Sequence, residues 1–503
     1  MGAVAVGGLA PPAVRSAYAQ TSPQVFGRMF PNLPAFAPAT DPVRAALRDI
    51  GRPGGLLDAQ DNLAAGPVQL VADLTLSANN PNNNTHTAGT TFFGQFLDHD
   101  MTFDTTSALG VTTPPEQTPN ARTPSFDLDS VYGAGPTGSP QLYNPSDPAK
   151  LRIESGGLFE DLPRDGSSTA IIGDPRNDEN LMIAGIHAAF ILFHNNAVDF
   201  VRSQNPSANA FQEARRLTTW HYHWLILNQF LPQFVGRSLV DRVLRQGRRF
   251  YRPPLGGAFM PVEFQGAAYR FGHSMIRPSY RANKTGDPGG NPATGAPQFF
   301  GMIFDPAGEG QADPVDLRGG ARAPRRFIGW ETFFNFPSHA ADVRRNKLID
   351  SNLSTPLFNL PLITIPDGSP PTSLPQRNLL RGLTWSLPSG QAIAQAIGEP
   401  ALEPGQLREL AGYGLGFERS TPLFYYVLKE AELRTSGRTL GPVGGRIVAE
   451  VFIGLLQTDP NSFLVAQPSF RPSLPPGNTG TFTMNEFLTF AGVNPTQRGT
   501  PAG

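Results

Sequence analysis

Two long apolar segments constrain the fold of this chain more than any other feature. Residues 179–202 and 208–231 are too rich in hydrophobic side chains to be surface helices of a small protein. We therefore predict two central helices that pack against each other. A chain of 503 residues can bury them in one large domain or in two to three smaller ones.

The rest of the sequence indicates further helices and long loops. Apolar residues recur at helical spacing in four other segments: 91–103, 391–397, 421–434 and 444–456. Two segments rich in Gly, Pro or Asp, 283–323 and 355–375, interrupt this pattern. Strand–helix alternation and internal repeats are missing. We predict a mostly α fold with long loops and little β structure, as a single large domain (91–503) preceded by an N-terminal arm (21–90) that packs on it.

The composition excludes several classes of protein. With 40 Lys and Arg against 41 Asp and Glu, the net charge of −1 gives no electrostatic basis for binding nucleic acid or an anionic membrane. The absence of cysteine excludes disulfides, thiolate metal sites and cysteine nucleophiles. We find no run of roughly 18 apolar residues and therefore predict no transmembrane segment.

The N-terminus allows two interpretations. Residues 3–14 are small and apolar, and Ala17-Tyr18-Ala19 has the small-x-small form of a signal-peptidase site. A basic leading region is missing, however, and Pro11-Pro12 interrupts the run. Residues 1–20 are therefore either the remnant of an export signal, which predicts a secreted or periplasmic protein, or a flexible leader.

Polar residues stand out within two apolar segments. Gln95, Asp98 and His99 fall on one side of a Phe-rich helix, because they are spaced by three and four positions. Burying such groups without partners costs on the order of 1–3 kcal/mol each, so they form either a site or a capping cluster. Arg176 and Glu179 share a face where the next apolar helix begins, where an acidic residue also serves as a simple cap.

Two other patterns are open to a bland or a functional interpretation. His273 follows Gly272, which suits the close approach of a planar group to the backbone, although a lone core histidine is commoner. Oxygen-bearing residues also alternate in one loop, which fits either a calcium site or an Asp-rich turn. They are Thr123, Ser125, Asp127 and Asp129.

Several common catalytic motifs are missing from the sequence. There is no H-E-x-x-H, G-x-S-x-G, P-loop or dinucleotide-binding fingerprint in a usable context. His221 and His223 lie two positions apart, so a helix turns them to different faces.

Four motifs, in the same order along the chain, resemble those of the animal-type haem peroxidase superfamily. This superfamily includes the cyclooxygenases, the fatty-acid dioxygenases and bacterial members. We expect this protein to be a bacterial-type member. The resemblance extends from about residue 91 to about residue 460. It rests on GQFLDHD (94–100), RNDEN (176–180), YRFGHSMI (269–276) and LPQRNLLR (374–381).

The resemblance implies a role for each matching residue. His99 is implied as the distal base, Arg176 as the group that stabilises developing negative charge, and Gln95 as a further distal pocket residue. His273 is implied as the axial ligand of the iron of haem b. Three more residues support the cofactor: Asn378, as acceptor from the other nitrogen of His273, and Arg270 and Arg381 near the haem propionates.

Two further implications concern covalent links and a cation. Asp98 and Glu179 match the carboxylates that the family esterifies to haem. Five residues match the family's calcium site: Asp100, Thr123, Ser125, Asp127 and Asp129.

The sequence also departs from the family pattern. Asn180 occupies the place of the methionine that forms a sulfonium link in some members, so that link is excluded. Arg270 occupies the place of the radical-bearing tyrosine of the cyclooxygenases and dioxygenases, and Tyr269 is one position too early. We interpret the similar string around Tyr222, His221–Trp224, as packing. Asp129 replaces a hydroxyl residue in the calcium loop, which adds a negative charge.

The expected function is that of a haem peroxidase acting in the response to oxidative stress. It would reduce hydrogen peroxide and oxidise a small donor, either a halide or pseudohalide or a phenol. One alternative is a haem-dependent fatty-acid dioxygenase. The other is a secreted, calcium-stabilised interaction protein that has lost its haem.

Overall fold

The computed structural model shows a predominantly helical protein. It describes residues 25–495 except 78–80, 156–158, 285–297, 312, 322–324, 366–367 and 477–480. The prediction for residues 1–20 therefore lies outside the described residues. The α-helices are α1 Asp41–Ile50, α2 Gly66–Ala72, α3 Ala88–Met101, α4 Asp129–Tyr132, α5 Gly135–Gly138, α6 Leu181–Gln204, α7 Ala210–Leu225, α8 Leu231–Val235, α9 Arg237–Gln246, α10 Val262–Gly266, α11 Leu374–Thr384, α12 Gly390–Ile397, α13 Leu423–Thr435, α14 Pro442–Thr458, α15 Phe463–Ala466 and α16 Met484–Phe490.

The strands are short and form two-stranded ladders among the described residues. They are β1 Phe26–Gly27, β2 Asn82–Thr87, β3 Tyr143–Asn144, β4 Asp147–Leu151, β5 Glu154–Ser155, β6 Glu160–Asp161, β7 Met260–Pro261, β8 Ser279–Asn283, β9 Phe299–Met302 and β10 Arg345–Lys347. The prediction of a mostly α fold with long loops and little strand is confirmed.

Helices α6 and α7 form the centre of the core and pack against each other, as predicted. The side chain of Asn180 caps α6 by accepting from the Ile183 amide at 3.0 Å, a contact that typically contributes about 1 kcal/mol. Helix α3 packs across α6, where the rings of Phe96 and Phe190 stack with their centroids 4.6 Å apart. The polar residues of α3 are thereby anchored to the most buried part of the molecule.

One predicted helix and the segment around His273 are not regular α-helices. Residues 208–231 do not make one regular helix, because α7 passes through a π-helical turn, Ile226–Phe230, into α8. Pro232 lacks the N–H that would bond to the carbonyl of Asn228. This missing donor explains why the backbone hydrogen-bond pattern changes from α-helical to π-helical at this point. Residues Ala268–Met275, which contain His273, form a 3₁₀ helix.

Helix α6 corrects the prediction that no segment is apolar enough to span a membrane. Its mean hydropathy is 1.5 over an 18-residue window, which meets the length and composition of a spanning helix. In the fold, however, 83% of that window is buried inside the protein. Its hydrophobicity is accounted for by its position in the core.

The described part of the arm is fastened beside the later segments of the chain. Strand β1 pairs in parallel with β7, and the buried carboxylate of Glu263 accepts from the amides of Met29 and Phe30, both at 2.9 Å. Helix α1 packs against α11. The arm therefore supports two segments that contribute to the site described below, whereas its exact boundaries stay a prediction.

Candidate functional site

A cavity of about 360 Å³ lies among α3, the turn at 175–179, the 3₁₀ helix Ala268–Met275 and α11. Its volume is within the range of cofactor and small-molecule pockets. The lining contains every residue predicted for catalysis or cofactor binding: Gln95, Asp98, His99, Arg176, Glu179, Arg270, His273, Asn378 and Arg381. Four motifs that are far apart in the sequence thus meet at one place.

His99 is a buried, neutral imidazole with one nitrogen already engaged. Its Nδ1 lies 2.8 Å from Oδ1 of Asn177, so Nδ1 carries the proton and the lone pair of Nε2 is left to accept one. Burial and the nearby Arg176 guanidinium lower the pKa of His99 to about 3. Asn177 in turn contacts Nδ1 of His187 at 3.0 Å. The neutral ring and the free lone pair of Nε2 are the features that allow His99 to accept a proton.

Arg176 is held rigidly at the edge of the cavity. Its Nε and Nη2 donate to the two carboxylate oxygens of Asp174 at 3.0 and 2.7 Å, and Nη2 also donates to the carbonyl of Thr102 at 2.7 Å. The guanidinium carbon lies 4.1 Å from the centre of the Phe103 ring. Burial alone would raise the pKa of Asp174, but the guanidiniums of Arg176 and Arg122 hold it well below its usual range.

Gln95 and Asn180 position the carboxyl group of Glu179. Asn180 Nδ2 donates to Gln95 Oε1 at 3.1 Å, and Gln95 Nε2 donates to Glu179 Oε2 at 2.9 Å. Burial raises the pKa of Glu179 to about 8, against the opposing effect of Arg176. Asn180, which we had interpreted only as the loss of a sulfonium link, is thus both the cap of α6 and the anchor of Gln95.

His273 is the second imidazole of the cavity and is partly buried. Burial and the charge of Arg270 lower its pKa to about 3, which keeps the ring neutral. Its Nδ1 lies 2.8 Å from Nδ2 of Asn378. This amide orientation differs from the predicted one, in which Oδ1 accepts from Nδ1, and an iron-ligating Nε2 requires the orientation with Oδ1 towards the ring.

The backbone beside His273 leaves room for a planar group. A Cβ atom added at Gly272 would meet no heavy atom within 4 Å, and Gly272 lines the cavity. Together with a neutral imidazole and flanking arginines, this open cradle fits haem. His273 would hold the iron, and Asp98 and Glu179 are carboxyl groups of the same cavity.

Arg270 and Arg381 are tethered at the cavity wall. Arg270 Nε donates to the carbonyl of Gln265 at 2.7 Å, and Arg381 Nη1 donates to Asp104 Oδ2 at 2.6 Å. Both place a guanidinium at the cavity wall, the group that binds an anionic propionate by charge-assisted hydrogen bonds.

A cluster of acids lies directly behind the distal helix. The carboxylates of Asp100, Asp127 and Asp129 have oxygens within 4.8 Å of one another. Oδ2 of Asp129 is buried without a hydrogen-bond partner. Burial, reinforced by Asp127, raises the pKa of Asp100 to about 8, and burial also raises the pKa of Asp129. A bound divalent cation would relieve this repulsion and satisfy the orphan oxygen.

The two hydroxyl residues predicted for the same cation lie differently. The Ser125 hydroxyl donates to Asp459 Oδ2 at 3.3 Å, and Thr123 is exposed. The structure therefore unites the three acids, whereas the participation of Thr123 and Ser125 stays a prediction.

Tyr222 packs in the core and is not part of the cavity lining. Its ring makes an edge contact with Phe96 at 6.2 Å, and its hydroxyl donates to Asp100 Oδ2 at 3.2 Å. From the sequence we interpreted the string around Tyr222 as packing, and that interpretation did not include its hydrogen bond to the acid cluster.

The fold and the cavity define a class: a helical protein whose cavity brings two imidazoles together, and imidazole is one of the side chains that hold haem iron in proteins. A family model described as animal haem peroxidase matches residues 105–309. This stretch contains Arg176, Glu179 and His273, and the structure joins the distal residues of α3 to it.

Known proteins resemble the chain in sequence and in fold. The probable oxidoreductase PXDNL of Homo sapiens is 30% identical over 223 residues, which cover 40% of this chain and 15% of the human protein. Peroxidase A from Dictyostelium discoideum superposes with a TM-score of 0.60 at 15% identity, covering 92% of this chain and 93% of that one. A fatty acid alpha-dioxygenase of Oryza sativa superposes with a TM-score of 0.59 at 14% identity, covering 93% and 80%.

Residues 105–309 thus match the animal haem peroxidase family, the family that the sequence motifs resemble. The chain spans only a small fraction of the length of its curated relatives, 15% for the human protein.

Proposed function

We propose that this protein is a haem peroxidase that reduces hydrogen peroxide and oxidises a small donor. The observation that carries the proposal is the pair of neutral imidazoles, His99 and His273, which line one cavity together with Arg176. The family match supports haem as the cofactor.

The residues divide the work by their chemistry. His99 Nε2 accepts a proton from hydrogen peroxide and returns it to the departing oxygen, which leaves as water. Arg176, permanently charged and braced by Asp174, stabilises the negative charge that develops as the O–O bond breaks. His273 would hold the iron of haem, which would supply the electrons for that cleavage, and the small donor would restore them.

The proposed donor is a halide, a pseudohalide or a phenol. The proposal also includes ester links to haem through Asp98 and Glu179, calcium at the acid cluster, and a secreted or periplasmic location. The superfamily resemblance supports the ester links and the calcium, and the buried Oδ2 of Asp129, which has no hydrogen-bond partner, also supports a cation.

The dioxygenase alternative is less well supported by the proximal segment. The hydroxyl of Tyr269 is engaged with the carbonyl of Gly94 at 2.9 Å, and Arg270 stands three positions before His273. The hydrogen bond of Tyr269 does not weaken the peroxidase proposal, because that proposal gives Tyr269 no role.

The test is to load the purified chain with haem and record its absorbance and its reactions. We expect a Soret band and oxidation of iodide, thiocyanate or a phenol that depends on hydrogen peroxide. Oxygenation of linoleate without peroxide would instead support the dioxygenase, and calcium binding without any Soret band would support the haem-free interaction protein.

A further inference from the structure

Arg122 connects the acid cluster to the distal side of the cavity. Its Nε donates to Asp174 Oδ2 at 2.8 Å, and its Nη1 reaches Asp129 Oδ1 at 3.4 Å. Arg122 is buried, with 5% of its surface exposed. One guanidinium therefore contacts both a candidate cation ligand and the carboxylate that braces Arg176.

Asp174 is shared between the two arginines. Its carboxylate is fully buried and receives Arg122 on Oδ2 while it receives Arg176 on both oxygens. If Arg122 moves away, it no longer neutralises part of the negative charge of Asp174, and the interaction between Asp174 and Arg176 changes. Of the two carboxylates, Asp174 lies closer to Arg122, at 2.8 Å against 3.4 Å for Asp129.

A divalent cation at the acid cluster would act on Arg122 through Asp129. The cation would attract the carboxyl group of Asp129, whose Oδ1 lies 3.4 Å from Nη1 of Arg122. Without the cation, Oδ1 of Asp129 stays available to Arg122 beside the carboxylate of Asp174.

We propose that Arg122 is a positioning residue that couples occupancy of the cation site to the placement of Arg176, through Asp174. A bound cation neutralises Asp129 and leaves Arg122 to Asp174, which holds Arg176 towards the cavity. Loss of the cation draws Arg122 away. This inference deepens the proposed function and rests on it.

Fluoride binding to the ferric, haem-loaded protein tests the coupling without turnover. An anion beside the iron is stabilised by Arg176, so its Kd reports the placement of that guanidinium. On chelation of calcium, we expect the fluoride Kd of the unaltered protein to rise about fivefold or more, a typical coupling between sites. Arg122→Leu should bind fluoride weakly with or without calcium, and Arg122→Lys should retain part of the response.

The matched control is Arg446→Leu, which removes another buried arginine, paired with Glu450 at 3.7 Å. It should keep the full calcium response of the unaltered protein. A full response in Arg122→Leu, or no response in the unaltered protein once elemental analysis shows the calcium gone, would overturn the proposal.

Calcium titration of the full chain gives a second test that needs no haem. Asp174→Asn releases Arg122 towards Asp129 and should weaken calcium binding about threefold or more, and the same substitution in an Arg122→Leu background should have no further effect. Equal effects in both backgrounds would refute the coupling. A chain that shows this coupling but binds no haem would instead refute the proposed peroxidase function.

Discussion

His99 and His273 line the same cavity, and their different amide neighbours distinguish them. Asn177 presents an oxygen to His99 and so fixes the proton on Nδ1, whereas Asn378 lies on the Nδ1 side of His273. Each histidine therefore has its Nε2 left for other chemistry. Two predictions follow at the scale of single residues.

Replacing His273 should remove haem. His273→Ala deletes the protein–iron bond, so we expect the Soret band to be lost for most of the protein. The matched control is His339→Ala, which removes a partly exposed imidazole paired with Asp342 at 3.3 Å. Haem content equal to that of the unaltered protein in His273→Ala would contradict the axial assignment.

Replacing His99 should leave haem bound but slow its reaction with peroxide. We expect His99→Ala to lower the bimolecular rate by two orders of magnitude or more, the usual scale of lost acid–base help. Asn177→Val should lower it less, because the imidazole remains but its orientation is no longer fixed. Stopped-flow absorbance measures both rates, and an unchanged rate in His99→Ala would assign the proton transfer to another group.

At the scale of elements, the carboxylate of Glu430 caps the N-terminus of helix α14. It accepts from the amides of Val443 and Gly444 at 2.9 and 3.3 Å, and burial raises its pKa from 4.5 to about 7. The folded state thus binds a proton more tightly than the unfolded state between these two values. Ionisation of Glu430 therefore costs stability as pH rises.

We expect this cost to appear in the difference between Glu430→Gln and the unaltered protein. Relative to the variant, the unaltered protein should lose on the order of 3 kcal/mol of unfolding free energy between about pH 4.5 and 7, and no more above that range. Denaturant unfolding at pH 5 and pH 8 measures the difference. A constant difference across both pH values would show that Glu430 ionises normally.

The N-terminal arm offers another prediction at the same scale. Glu263→Ala leaves the amides of Met29 and Phe30 without their acceptor, which should cost about 1–3 kcal/mol for each buried group left unsatisfied. We expect faster cleavage of residues 25–36 in limited proteolysis. Glu154→Ala, which alters a half-buried glutamate away from the arm, should leave that rate unchanged.

The sequence predicted the central helices and the residues that line the cavity, because these depend on apolar spacing and on local motifs. It did not reveal Asn177, Asp174 or Arg122 as structural partners, since their contacts join residues up to 78 positions apart. The break in regular α-helical hydrogen bonding before Pro232 could have been predicted from the sequence, because proline always removes a backbone donor. The orientation of Ser125 towards Asp459 depends on a partner 334 residues away and could not be read locally.

At the scale of the whole molecule, the acid cluster should make stability depend on calcium. A ligand that binds only the folded state stabilises it in proportion to the logarithm of its concentration over its Kd. We therefore expect a chelator to lower the melting temperature and added calcium to restore it. A melting temperature indifferent to chelator, with no metal found by elemental analysis, would remove the cation site.

The separation of the site's parts along the chain also has a consequence for biosynthesis. The cavity needs His99, His273 and Asn378 together, and the ribosome completes the last of these segments only after residue 381 of 503. The earlier segments are therefore made before the partners that complete the cavity exist, and the cavity can form only after residue 381 has been translated.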